Sequence, residues 1–126
     1  MGSVTAWRSL RDATASRWAW VQVTPLASAD DARDALTGIG ERMLKNLNSE
    51  VRLVSEADVP IEAFAGASAV WAREQHTEGR DGPGVVLMLA GAVSEWLVVL
   101  CLSGRPAWDW QRASELAAAQ AARLPI

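Results

Sequence analysis

Few residues in this chain are equipped for chemistry. His76, in "REQHTEG", is the single histidine. Acid–base work would need a nucleophile and an orienting partner beside it, and its surroundings read as an exposed loop. Cys101 is the single cysteine, so no intrachain disulfide can form. Flanked by Leu100 and Leu102, it reads as a buried thiol behaving as a small hydrophobe. One cysteine and one histidine do not supply a zinc site, and no metal or cofactor is expected. Glu56, Asp58 and Glu62 lie close in sequence. Strand alternation sets Glu56 and Asp58 on one face, where a solvated edge explains them better than an acid–base pair. "GASAV" at 66–70 opens like a nucleophile elbow, but Val70 stands where the closing glycine belongs. "GIG" at 38–40 falls inside an expected helix, which excludes a dinucleotide fingerprint. No catalytic residue is assigned, and an enzyme is the less expected reading.

The unusual side chains are aromatic: seven tryptophans and no tyrosine. Tryptophan combines a large apolar area with an N–H donor, which suits both cores and interaction hot spots. Trp18 and Trp20 share a strand face with Gln22 and Thr24, a mixed polar–aromatic surface. Trp110 fits the inner stripe of a helix, and Trp108, two residues away, cannot share that face. Trp18, Trp20, Trp96 and Trp108 are therefore the candidate partner surface.

The elements that position these residues follow from periodicity. The 126 residues fit one domain, set here at 17–126, with 1–16 as an arm or short helix. "RWAWVQVT" (17–24) and "EVRLVSEADVP" (50–60) alternate with period two and read as strands. "FAGASAVWAREQH" (64–76) reads as another, and "TEGRDGPG" (77–84) as a loop. A helix is expected over 29–47, capped by Ser28, with Ala32, Leu36, Ile39, Met43 and Leu47 in one stripe. A second, alanine-rich helix is expected over 106–124.

The central question is "VVLMLAGAVSEWLVVLCL" at 85–102. Eighteen residues with Glu95 past the middle make a poor membrane span. The repeated "VV" favours strands, and the polar Ser94–Glu95 pair falls where a hairpin turns. The expectation is a strand at 84–90, a turn at 91–95 and a strand at 96–103. Both strands are apolar on both faces, as strands covered on both sides are. The expected fold is α+β: one antiparallel sheet of four or five strands with two main helices packed on one face. The opposite face is then left for the N-terminal arm with Trp7, a second subunit or a ligand.

The formal net charge is −3 and no basic block occurs, which argues against nucleic acid as a partner. "MGSVTAWRSL" lacks an apolar signal core, so the chain as written reads as cytoplasmic, or as extracytoplasmic if a leader has been removed. The order of elements carries a resemblance. A strand runs into "SADDARDALTGIGERML", and "GVVLMLAGAVSEWLVVLCLSG" leads into "RASELAAAQAARL". This resembles the actinobacterial extracytoplasmic sensor-type domains of serine/threonine kinases and lipoproteins, and is similar in outline to the Mog1/PsbP-like α+β group. The resemblance implies a non-catalytic binding or sensing module. The leading expectation is a non-enzymatic interaction or sensing module, self-associating or part of a larger assembly. The alternative is a small apolar-ligand-binding protein or enzyme with a pocket between sheet and helices.

Overall fold

The computed structural model describes residues 6–11, 16–39, 52–79, 82–105 and 108–125. Its centre is the stretch at 85–102, which folds as a β-hairpin. Strand β5 (Gly82–Val93) turns at Ser94–Glu95 into β6 (Trp96–Arg105), with Leu89 opposite Leu100 and Val93 opposite Trp96. Ser94 has φ 52°, while Glu95 keeps a negative φ. That is the pattern of a type II′ turn, whose twist suits a hairpin and whose first central position ordinarily takes glycine. No helix among the described residues is long and apolar enough to cross a membrane.

Around this hairpin the sheet has six antiparallel strands in the order β1-β2-β6-β5-β4-β3. Strand β2 (Ser16–Pro25) pairs along the whole of β6. Strand β4 (Ala69–Gly79) pairs with β5, and β3 (Arg52–Asp58) forms one edge. The segment set apart as an arm or short helix supplies the other edge, β1 (Ala6–Arg11), paired with β2. The α+β reading with a single antiparallel sheet holds.

Two helices are described. Helix α1 (Ala29–Ala35) begins at Ser28, whose hydroxyl accepts the Asp31 N–H at 3.1 Å. The remainder of the stripe expected there, through Met43 and Leu47, lies outside the described residues. Helix α2 (Trp110–Ala122) begins at Asp109, whose carboxylate accepts the Arg112 N–H at 2.7 Å. Pro106, expected in its first turn, also lies outside them.

The helices do not share a face of the sheet. Alternation sends Leu87, Leu89, Leu100 and Leu102 to one side, where Ala113, Ala117 and Ala121 of α2 meet them. It sends Met88, Ala90, Leu97 and Val99 to the other, where Ala35, Leu36 and Ile39 of α1 and the turn after it close over them. This corrects the expectation of both helices on one face, and the physical reason lies in the strands themselves. A ribbon apolar on both sides needs a cover on each, and the chain divides its helices accordingly. The ribbon is thus shielded above and below within one protomer, and Trp7, whose side chain lies outside the described residues, is not needed to explain it.

Two boundaries also differ from the sequence reading. Gly91 lies inside β5 rather than in the turn. A Cβ there would come within 2.3 Å of the buried Phe64 ring, so glycine makes room for an aromatic side chain from the β3–β4 loop. Phe64 itself precedes β4, which starts at Ala69. The loop expected at 77–84 is largely strand: β4 runs to Gly79 and β5 begins at Gly82.

Candidate functional site

The four candidate tryptophans do not form one surface. Trp20 sits on the α1 side, half-buried, against the cluster of Ile39, Met88, Ala90, Leu97 and Val99. Gln22 and Thr24 share its face as expected, and the Gln22 amide donates to the Thr24 hydroxyl at 3.3 Å. Trp18 is placed by its backbone opposite Ser103, and its side chain lies outside the described residues. Trp96 opens β6 on the α2 side by alternation, and its indole N–H is buried with no acceptor. Trp108 is half-buried against the α2-side core, and its indole N–H donates to the Ser103 carbonyl at 2.9 Å. Trp110 packs on the same core, as its place in the stripe implied.

The polar chemistry gathers elsewhere, where β3, β4 and β5 adjoin. On the α1 side, the cross-strand pairs Asp58–Arg73 and Glu56–Gln75 bring together residues far apart in sequence. Arg73 donates through Nε to Asp58 Oδ1 at 2.8 Å, and its Nη1 lies 3.8 Å from Glu56 Oε2. The same guanidinium lies 5.1 Å from the centre of the Trp71 ring, a cation–π arrangement. Gln75, fully buried, donates its amide N–H to Glu56 Oε2 at 3.0 Å, while its carbonyl oxygen has no donor. Glu56 and Asp58 do share a face, as alternation required. Their inner oxygens are held from β4; Glu56 Oε1 and Asp58 Oδ2 accept nothing among the described residues.

On the α2 side of the same strands, one carboxylate ties helix to sheet. Glu74 Oε1 accepts the Trp110 indole N–H at 3.2 Å, and Glu74 Oε2 lies 2.9 Å from His76 Nε2. His76 therefore stands on β4, not in a loop, with an orienting carboxylate that sequence could not place. Beyond it the sheet end opens into a cleft of about 500 Å³ lined by Val54, His76, Glu78, Pro83, Val85 and Gly104. Val54 is 55% exposed and is the one exposed large hydrophobic among the described residues. A β-bulge between Leu53 and Ser55 puts it there, and bulges re-aim side chains in this way.

Cys101 is half-buried among Met88, Val99 and Trp20. Burial pushes its thiol up to about 11, away from the thiolate a nucleophile needs. No group of three or more histidine, cysteine or acidic side chains among the described residues is arranged to hold a metal ion.

Sequence reasoning passed over Arg73, Trp71, Glu74 and Val54. The alternation in "VWAREQH" could have flagged the first three, since it sets Trp71, Arg73 and Gln75 on one face and Glu74 and His76 on the other. Their partners come from register and helix packing, which no local pattern records. No known protein family matches the chain, and no curated protein is similar to it.

Proposed function

We propose that this chain is a non-enzymatic protein-interaction or sensing module that works as part of a larger assembly, and that it meets its partner at the β3 end of the sheet. The observation that carries this reading is Val54. The apolar β5–β6 ribbon is shielded inside one protomer, yet Val54 on the edge strand β3 is held out by a bulge at the mouth of an open cleft. Partner surfaces commonly set an apolar anchor within a polar rim, and His76, Glu78 and Arg52 supply that rim. Of the tryptophans named from sequence, Trp20 and Trp108 contribute through packing.

The test is site-specific photo-crosslinking in the native host, with the reactive residue at position 54 and, as control, at exposed Gln111 on α2. A discrete adduct from position 54 that is absent from position 111 is the expected result. Equal labelling from both positions, or none from position 54, would overturn the reading.

The same cleft favours a second reading, a small apolar ligand, housed at the sheet end instead of between sheet and helices. His76 in the cleft wall is joined through Glu74 to the Trp110 indole, so a shift in tryptophan emission during a screen of small apolar compounds is the expected result of this second reading.

A further inference from the structure

Resting on the β3 end as the partner surface, we infer that β3 receives an extended, basic segment of a different protein, and not a second copy of this chain. Edge strands bind extended peptides by main-chain pairing, with side chains at alternate positions giving selectivity. The outer edge of β3 has no strand against it among the described residues, and all its side chains except Leu53 are exposed.

The charge pattern says what fits. Glu56 and Asp58 stand at alternate positions on one face. Arg73 and Gln75 fix them from within, leaving Glu56 Oε1 and Asp58 Oδ2 as open acceptors among the described residues. Beside them Gln75 Oε1 is fully buried and lacks a donor, a state that is costly until a donor arrives. Lysine or arginine at alternate positions of an incoming strand meets both carboxylates. Past the bulge, an apolar residue of the same segment reaches Val54 and the cleft.

A second β3 does not fit. Directly opposed residues in an antiparallel pair share a face and a hydrogen-bonding sense, so a two-fold axis must pass through a residue. Through Glu56 it sets Glu56 on Glu56, and through Ala57 it sets Glu56 on Asp58. Through Ser55 it sets Asp58 opposite Arg52, but the bulge has turned those two to different faces: Arg52 pairs with Glu78 at 2.8 Å on the α2 side and Asp58 with Arg73 on the α1 side. Like charges directly opposed are destabilising.

The experiment titrates the isotope-labelled full chain with two synthetic peptides, Lys-Val-Lys-Val-Lys and Glu-Val-Glu-Val-Glu. The expected result is NMR shift changes and amide-exchange protection on Arg52–Asp58 with the lysine peptide alone, weakening steeply as salt is added. The Glu56→Gln/Asp58→Asn double variant should bind about five- to tenfold more weakly, with its spectrum unchanged away from β3 and the neighbouring β4 residues Trp71, Arg73 and Gln75. The inference is overturned if shifts fall elsewhere, if both peptides bind alike, or if the double variant binds as well as the parent. It is also overturned if β3 protection grows with protein concentration alone, which marks self-pairing. A specific adduct at position 54 alongside a failed lysine peptide sinks this inference and leaves the proposed function standing; loss of both sinks both.

Discussion

The two sides of the β5–β6 ribbon are built from the same strands and solve the same problem differently. On the α2 side, leucines and valines meet a helix whose inner stripe is alanine at every fourth position, Ala113, Ala117 and Ala121. Small side chains let the helix lie close, and the layer is aliphatic to its centre. On the α1 side fewer of the described residues are buried, and Trp20, Trp71 and Cys101 stand half-buried around them. There the margin toward β3 is charged and hydrogen-bonded. One side is a close-packed core and the other grades from core into a polar surface. A sheet apolar on both sides can therefore still present one side to chemistry, provided the apolar content thins toward an edge.

The largest test of this contrast uses neighbours on one strand. Leu100 points to the α2 side and is fully buried; Val99 points to the α1 side and retains 8% exposure. Leu100→Ala should cost about 3–5 kcal/mol in urea unfolding, and Val99→Ala about half of that or less. Equal losses would erase the distinction. Gly91→Ala drives a methyl into the Phe64 ring and should cost about 1–3 kcal/mol. Adding Phe64→Leu should recover part of that loss if the contact is the cause. Arg73→Ala removes the stack on Trp71 and the ties to Glu56 and Asp58. About 1–2 kcal/mol should be lost at low salt and less at high salt.

Cys101 tests the α1 side by pH. Its thiol is raised from 9.0 to about 11 by burial, so the unfolded chain ionises first as pH rises. The folded state then binds more protons, and stability falls between pH 9 and 11. For a half-buried group the loss is on the order of 1 kcal/mol. Cys101→Ala should flatten that part of the curve. The chain suits this measurement, having no tyrosine and a single lysine to titrate nearby. The smallest effect has the opposite sign. Ser94→Gly relieves the positive φ in the hairpin turn and should stabilise by about 0.5–1 kcal/mol, seen as a raised Tm without a change on either side of the sheet.

Sequence spoke clearly where the physics is local. Alternation placed β2 and β3, β-branched residues and a polar turn placed the β5–β6 hairpin, and the Ser28 cap placed the start of α1; α2 was expected from 106 and begins at Trp110, behind Asp109. Reading failed where a residue answers to something distant. Gly91 resembles a turn glycine until Phe64 is seen above it. Ala6–Arg11 is too short to declare itself a strand without β2 beside it. The division of the helices was within reach, because strands apolar on both faces require two covers and the chain offered two helices; assigning both to one side left an uncovered face that the molecule does not have. The site was less legible. Glu56 and Asp58 were placed on a common face, but their grip by Arg73 depends on the β3–β4 register, and the tie from Glu74 to Trp110 depends on where α2 lands.

Phe64 also divides the stretch between β3 and β4 into two mechanical spans. Seated over Gly91, the ring acts as a rivet, and the Ser68 N–H bonded to the Ala92 carbonyl at 2.8 Å fastens the chain again just beyond it. Glu62 and Ala63, on the solvent side of that fixture, can accept a tag, a linker or a natural insertion without disturbing the sheet. Between Phe64 and Ser68 the backbone has no slack to give, so length variation here is confined to one side of a single aromatic ring.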